Sequence, residues 1–197
     1  MNYTRLLSCV VLAYLLLHAV GLAETPNPQS ELRTKVSEAA RLFPKEAKTS
    51  RKQLISFGEP AVPFIVEIIQ SDPNLDPVKK AFLIDVIASI HGEKSDAGLV
   101  SLLSDGDPYV RGLAVSYITK RKLQAAIPHL ISLLEDKAVY KTVVHTDPSS
   151  TQVVLVRDVA IEALQATTGI AVRPRGTKDE QVRAWMRWWG KQKLKTR

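Results

Sequence analysis

The chain has 197 residues, a length that allows one domain or at most two small ones. It carries 27 lysines and arginines against 20 aspartates and glutamates, and 45% of its residues are hydrophobic. This balance excludes an intrinsically disordered chain and a protein that spans a membrane many times. The modest numbers of glycine and proline, 9 and 11, exclude a collagen-like or proline-rich fibre.

The first 23 residues have the pattern of a secretory signal peptide. Arg5 supplies the basic start, an apolar run follows over residues 6–22, and small residues stand at Gly21 and Ala23. We therefore expect cleavage after Ala23 and export to the periplasm or the extracellular space. The alternative is an uncleaved membrane anchor through residues 6–22, because that run is near the shortest length that spans a bilayer.

The single cysteine and the net charge are both unevenly placed. Cys9 lies within the predicted signal segment, so the mature chain would have no disulfide, no thiolate zinc site and no cysteine nucleophile. Residues 173–197 carry a net charge of +7, whereas residues 24–172 carry −1. The basic character of the protein therefore belongs to its C-terminal segment.

The pattern of apolar residues predicts an all-α fold. Residues 24–30 contain two prolines and are interpreted as a linker. Helical periodicity then predicts helices over 31–43, 50–57, 61–71, 77–90, 96–104, 108–121, 125–136, 153–168 and 179–193. One segment, 137–152, departs from this pattern, because residues near 139–144 favour β-structure and Asp147-Pro148 is typical of a turn.

The predicted helices recur in pairs. The apolar pattern of a first helix begins at Ile65, Leu99 and Leu130, at spacings of 34 and 31 residues. The opening of a second helix recurs at Val78, Val110 and Val156, at spacings of 32 and 46 residues. A two-helix unit of this length is typical of a stacking repeat, and the longer spacing places an insertion at 137–152.

Three sequence segments resemble a known repeat family. Residues 57–63 look like the entry to a HEAT-like repeat, and residues 103–111 with Ala114 are similar to the turn and second helix of that repeat. The run from Trp185 to Trp189 resembles the end of several exported HEAT-like proteins of the PBS-lyase type. The resemblance covers residues 50–190. It implies a short right-handed α-solenoid of stacked helix pairs over residues 31–172.

The resemblance also assigns structural roles to charged and aromatic residues. Lys79, Arg111 and Arg157 would pair with aspartates of adjacent turns, namely Asp76, Asp105, Asp107 and Asp136. In the basic segment 173–197, a helix bearing Trp185, Trp188 and Trp189 would cap the last repeat. A second interpretation of this helix is that its tryptophans and basic residues bind an anionic bilayer surface or an acidic partner.

The function expected from these features is that of an exported, non-catalytic scaffold. A protein or peptide would bind the concave face of the solenoid, where the aligned repeats place Lys80, Ser116, Lys120, Asp158 and Glu162. We expect no metal or cofactor, since the histidines at 91, 129 and 145 lack the spacing of metal ligands.

Two alternatives remain at this stage. One is an adaptor that uses the basic, tryptophan-rich C-terminal segment to bind a membrane surface. The other is a HEAT-fold enzyme of the lyase or nucleic-acid glycosylase type. Export argues against nucleic acid as a substrate, and no sequence motif identifies a catalytic residue.

Overall fold

The computed structural model describes residues 27–143, 151–170 and 176–195. The chain divides into two compact units, Met1–Thr34 and Lys35–Arg197. The predicted signal segment, with Cys9, lies outside the described residues. Part of the insertion, 144–150, also lies outside them.

The described chain is all-α with one small β-hairpin. Its helices are α1 (Pro28–Arg41), α2 (Ala47–Ser56), α3 (Val62–Ser71), α4 (Pro77–Ser89), α5 (Glu93–Ser101), α6 (Pro108–Arg121), α7 (Ile127–Ser132), α8 (Val156–Thr168) and α9 (Lys178–Lys195). Short 3-10 segments flank three of them, at Glu59–Ala61, Leu102–Ser104, Gln124–Ala126 and Leu133–Glu135. The strands are β1 (Val139–Val143) and β2 (Gln152–Leu155).

Helices α4 and α6 begin in the same way. Asp76 and Asp107 are the N-cap residues, and in each helix a proline occupies the first position. The Asp76 carboxylate accepts hydrogen bonds from the backbone N–H groups of Val78 and Lys79, and that of Asp107 accepts one from Tyr109. These bonds satisfy amides that have no partner within the helix, and proline at the first position has no N–H to satisfy.

Left-handed residues end two of the helices. Gly169 follows α8 with φ 69°, a conformation that costs glycine little because it has no Cβ. Lys122 follows α6 with φ 54°, and its backbone N–H bonds back to the carbonyl of Thr119. A lysine in this conformation is uncommon, and the sequence pattern gave no indication of it.

Alternate helices pack side by side, and this arrangement forms the core. Helix α4 contacts α2 and α6, α6 contacts α8, and α3 contacts α5. Each fully buried leucine or isoleucine contributes about 1.5–3 kcal/mol of hydrophobic stabilisation. The fully buried aliphatic side chains include Leu54, Ile65, Ile69, Leu83, Ile84, Ile87, Leu99, Leu102, Ile118, Leu130 and Leu134.

The hairpin replaces the start of a predicted helix. Residues 153–155 were predicted to be helical, but they form β2, which pairs antiparallel with β1, and α8 begins at Val156. The register is irregular between Val139 and Lys141, where Tyr140 is buried. The prediction was wrong because a short apolar run such as residues 153–155 is compatible with either a helix or a strand. Here the run pairs with β1 and forms a strand.

Candidate functional site

An ion pair joins the first turn of α4 to the N-cap residue of α6. The Nζ atom of Lys80 lies 2.7 Å from Oδ2 of Asp107 and donates a 3.1 Å hydrogen bond to the carbonyl of Pro73. The Lys80 side chain is 4% exposed, whereas that of Asp107 is 31% exposed. The buried ammonium thus has one partner in its own turn and one in the next, as a buried charge requires.

A similar arrangement occurs at the start of α6. Arg111 donates to the carbonyls of Asp105 and Gly106 in its own turn, at 2.7 and 3.1 Å. Its Nε and NH2 atoms lie 2.8 and 2.7 Å from Oδ2 of Asp136, which follows the 3-10 turn after α7. Both side chains of this pair are largely buried. The guanidinium fork suits a position that must contact several acceptors at once.

A third pair lies before the last helix. The NH1 atom of Arg157 is 2.7 Å from Oδ1 of Asp179 in the first turn of α9. The backbone N–H of Arg157 donates to the carbonyl of Asp136 at 2.9 Å, which connects this turn to the preceding pair. The Asp179 side chain is 63% exposed, so this contact is weaker than the other two.

The structure corrects two residue assignments in this series. Lys80 was predicted to be an exposed binding residue, but it is buried in the pair with Asp107. Lys79 was predicted to make the inter-turn contact, but the lysine that reaches the next turn is Lys80. The error arose because the repeats were aligned on Val78 and Val110. Aligning them on the Asp-Pro pairs places Lys80 opposite Arg111.

The other aspartates have local roles. Asp76 caps α4, and the Asp105 carboxylate accepts a 2.8 Å hydrogen bond from the backbone N–H of Asp107. Neither carboxylate forms one of the ion pairs just described. Burial raises the pKa of Asp107, but the hydrogen bonds from Lys80 and from the Tyr109 backbone outweigh it, so the net shift is downward.

At the opposite end of α6, Arg121 connects three elements. Its guanidinium donates to the backbone carbonyls of Ala88 and Ile90 at the end of α4. The same group forms an ion pair with Asp96 in α5. The sequence analysis missed this contact. Its one signal was a basic residue in the last turn of the helix, which is common for electrostatic reasons alone.

A polar network crosses the outward sides of α2, α4 and α6. Asp85 accepts a 2.8 Å hydrogen bond from the Tyr117 hydroxyl and forms a 2.9 Å ion pair with Arg51. Arg51 also donates to Ser89 at 2.7 Å. The side chains of Arg51 and Asp85 are 39% and 41% exposed, so solvent or a partner can reach them. The neighbouring helices α2, α4 and α6 are thus connected by one network of hydrogen bonds and an ion pair on this surface.

The Tyr117 hydroxyl of this network has a pKa above its usual range. Burial, together with the hydrogen bond to Asp85, raises the pKa of Tyr117 to about 12. Lys120 lies one turn further along α6, with its Nζ 4.9 Å from the Tyr117 ring centroid. Lys120 is exposed. Its ammonium therefore lies over the face of the Tyr117 ring at the surface, in a cation–π contact.

The remaining predicted binding residues lie on the same helices. Ser116 is half-buried and donates to the carbonyl of Gly112 at 3.0 Å. Asp158 is half-buried and accepts a 3.1 Å hydrogen bond from the backbone N–H of Leu155. Glu162, one turn further along α8, is exposed. Lys120 and Glu162 are therefore the two exposed charged residues among the predicted binding residues.

The β-hairpin packs on α6 and α8 beside this polar surface. The Tyr140 ring occupies the space that a Cβ would need at Gly112, so glycine permits the close approach of β1 to α6. Tyr109 packs against Tyr140 with ring centroids 6.1 Å apart. Between the hairpin and α8 lies a cavity of about 280 Å³, lined by Lys141, Val143, Gln152, Val154, Asp158, Val159, Glu162 and Lys178.

The three tryptophans of α9 differ in their exposure. Trp185 is fully buried, and α9 contacts α7 and α8. Trp188 packs edge-on against Trp185, with ring centroids 5.2 Å apart, and Trp189 lies beside Trp188. Trp188 and Trp189 are half-buried. The indole rings thus form a cluster directed toward the preceding helices.

The described residues contain neither a metal-binding cluster nor a single membrane-spanning helix. Within 27–143, 151–170 and 176–195, no group of three or more His, Cys, Asp or Glu side chains is placed to hold a metal ion. In the same ranges, no single helix is long and apolar enough to cross a membrane. The helices Ala47–Ser56 and Glu59–Ser71 together have the length and apolar composition of a membrane span, but they are bent by 106° relative to each other. Their residues Leu54 and Ile65 are buried in the core.

Comparison with protein-family models, with curated proteins and with solved structures gives no match to this chain. The candidate site therefore rests on the residues and geometry described above.

Proposed function

We propose that this protein is an exported, non-catalytic repeat scaffold. It binds a protein or peptide along the surface formed by α2, α4, α6 and α8. The proposal includes a short right-handed α-solenoid of stacked helix pairs, similar to HEAT-like repeats, with this surface on its concave side. The side-by-side packing of α4, α6 and α8 supports that architecture, as do the ion pairs that join successive turns.

The observation that carries the proposal is the polar surface that runs from Arg51 through Asp85 and Tyr117 to Lys120. Hydrogen bonds and an ion pair hold Arg51, Asp85 and Tyr117 in one orientation, so binding would cost little side-chain entropy at these residues. Glu162 on the adjacent helix adds an exposed charge of the opposite sign. A surface with both signs of charge and a tyrosine suits a partner segment that is itself mixed in charge.

The β-hairpin supplies a wall for this surface. It contacts both α6 and α8, and its face toward α8 carries Lys141 and Val154. A partner lying along the helices would meet the hairpin beside Glu162. The insertion that interrupts the repeat pattern thus acts as a specificity element, as loops on rigid scaffolds commonly do.

The test is a paired charge exchange on the proposed surface. The variant Lys120→Glu with Glu162→Lys keeps the net charge and removes no buried group. The control variant, Lys94→Glu with Glu135→Lys, makes the same exchange at exposed residues near α5 and α7. Each protein would be cross-linked in its native cell envelope, and the captured proteins would be quantified by mass spectrometry.

We expect proteins captured by the wild type and the control to be lost from the Lys120/Glu162 variant, with the melting temperature unchanged. An identical capture profile for all three proteins would show that this surface is not the binding site. Loss in both variants would show that binding depends on charge in general and not on these helices.

A further inference from the structure

The outward side of α9 carries a row of cations. Arg183, Arg187 and Lys191 are exposed and are spaced four residues apart, so they lie on one face of the helix, with each about 6 Å from the next. Lys193 is exposed beside them, over the Trp189 ring. The two acids of the helix, Asp179 and Glu180, are both in its first turn. The last three turns of α9 therefore present positive charge to the solvent.

The apolar side of this helix is already in use. Trp185 is fully buried, with an exposed fraction of 0%, where α9 contacts α7 and α8. An amphipathic helix that enters a bilayer must present its apolar face to the lipid. Helix α9 cannot do so without leaving the protein. Contact with a membrane would therefore be electrostatic and superficial.

Apolar groups do lie at the edge of the cationic row. Leu194 is 76% exposed and lies on the same face as Arg183 and Arg187. Trp188 and Trp189 are half-buried on its flanks. An isolated exposed leucine and partly exposed indoles beside cations are typical of surfaces that rest on the headgroup region of a bilayer.

We infer that the Arg183, Arg187 and Lys191 face of α9 binds the surface of an anionic phospholipid bilayer. The charge of the face matches that partner, and each basic residue near such a surface contributes about 1 kcal/mol of binding free energy. The apolar run of residues 6–22 favours a membrane over a nucleic acid or an acidic protein, because it is expected to bring the chain to a membrane. This inference is independent of the surface on α2, α4, α6 and α8.

The experiment is co-sedimentation of the full chain with vesicles. One set contains phosphatidylcholine alone, and the other contains about 30% phosphatidylglycerol, an anionic lipid. Binding through residues 6–22 would occur with both sets, whereas binding through α9 requires the anionic lipid. We expect the wild type to bind the anionic set more strongly and to lose this difference at about 1 M salt, where the Debye length is about 3 Å.

Two triple variants separate the helix face from net charge. Arg183→Gln, Arg187→Gln and Lys191→Gln should weaken the binding that depends on anionic lipid by about 100-fold, from three lost contributions. Lys48→Gln, Lys52→Gln and Lys122→Gln remove the same charge from other exposed positions and should leave it nearly unchanged. Thermal unfolding followed by far-UV circular dichroism reports whether each variant is folded.

The inference fails if the first variant binds anionic vesicles as the wild type does. It also fails if both variants lose binding equally, which would show an effect of net charge alone. Tighter binding of the wild type to a DNA oligonucleotide or to polyglutamate than to anionic vesicles would replace the membrane with a polyanion as the partner.

Discussion

Lys80 and Asp107 are 27 positions apart, and the 2.7 Å contact between Nζ and Oδ2 joins two consecutive turns. The lysine is buried and the aspartate is partly exposed. A pair of this kind adds little net stability compared with apolar residues of similar size, but removing one partner leaves a charge without compensation. Its main effect is to fix which residues of the two turns face each other.

Asp107→Asn should therefore destabilise the protein. Asparagine keeps the N-cap acceptor, so the loss reports the ion pair. We expect the free energy of unfolding in urea at neutral pH to fall by about 2–4 kcal/mol. This loss is smaller than for a fully buried pair because the carboxylate is 31% exposed. Asp76→Asn is the control, since Asp76 is the equivalent cap without a buried lysine and should change stability by less than about 1 kcal/mol.

The double variant Lys80→Met with Asp107→Asn should recover part of that loss. Methionine can fill the space of the buried Lys80 side chain, and it carries no charge that needs a partner. The free energy of unfolding of the double variant should exceed that of Asp107→Asn alone. Simple additivity of the two single changes would show that the lysine and the aspartate are not coupled.

The Asp107 pair should also make stability depend on pH in the acid range. Because the folded state lowers the pKa of this carboxyl, its contribution is fully present above the unfolded value of about 3.9. The contribution is lost as the pH falls through the folded pKa. The difference in unfolding free energy between the wild type and Asp107→Asn should be constant from about pH 5 to 8 and should shrink below about pH 4. A difference that stays constant in acid would exclude this linkage.

Tyr117 should show the opposite dependence, at alkaline pH. Its folded pKa is raised to about 12, so the stability that it contributes is present below the unfolded value of about 10 and is lost as the pH rises toward 12. Absorbance titration should detect one tyrosine that ionises near pH 12 and that disappears in Tyr117→Phe. If the wild type and the variant differ instead by a tyrosine that ionises near pH 10, the hydrogen bond to Asp85 does not form.

Two glycines within helices should respond in opposite ways to alanine. A Cβ at Gly112 would overlap the Tyr140 ring, so Gly112→Ala should displace the hairpin and cost about 1–3 kcal/mol. Nothing lies within 4 Å of a Cβ at Gly190, where alanine should stabilise α9 by up to about 1 kcal/mol. Chemical denaturation measures both. Equal stabilisation by the two substitutions would show that Tyr140 does not pack against α6.

Truncation of the tryptophans should follow their burial. Trp185→Ala removes a fully buried ring and should cost about 3–5 kcal/mol. Trp188→Ala removes a half-buried ring and should cost clearly less. Denaturant unfolding gives both values. A larger loss for Trp188 would mean that the cluster packs on the preceding helices through a different ring.

The helices themselves were predictable from local signals. The Asp-Pro starts of α4 and α6 and the glycine after α8 fixed their positions to within a few residues, because caps act through neighbouring backbone atoms. The side-chain partners were less predictable. Val78 and Val110 look equivalent in the sequence, yet Val78 is 64% exposed and Val110 is fully buried. An alignment based on hydrophobicity therefore slipped by one residue.

The candidate surface was predictable only in part. The exposure of Lys120 and Glu162 was expected from the alignment of the helix pairs and is observed, while their role in binding stays a prediction. The network of Arg51, Asp85 and Tyr117 was missed, since its members are more than 30 positions apart and no local pattern connects them. Strand β2 was missed for the same reason: its state depends on a partner strand rather than on its own residues.

The ion pairs between turns also have a direction along the chain. The carboxylate partner of Lys80 lies 27 positions later in the chain, at Asp107, and that of Arg111 lies 25 positions later, at Asp136. During synthesis, Lys80 and Arg111 therefore emerge before their partners Asp107 and Asp136 have been made, and each pair can form only when the later aspartate appears. A nascent chain halted between Lys80 and Asp107 would hold an uncompensated charge at its growing edge. Assembly from the N-terminus would thus proceed in steps, each completed by the turn that follows.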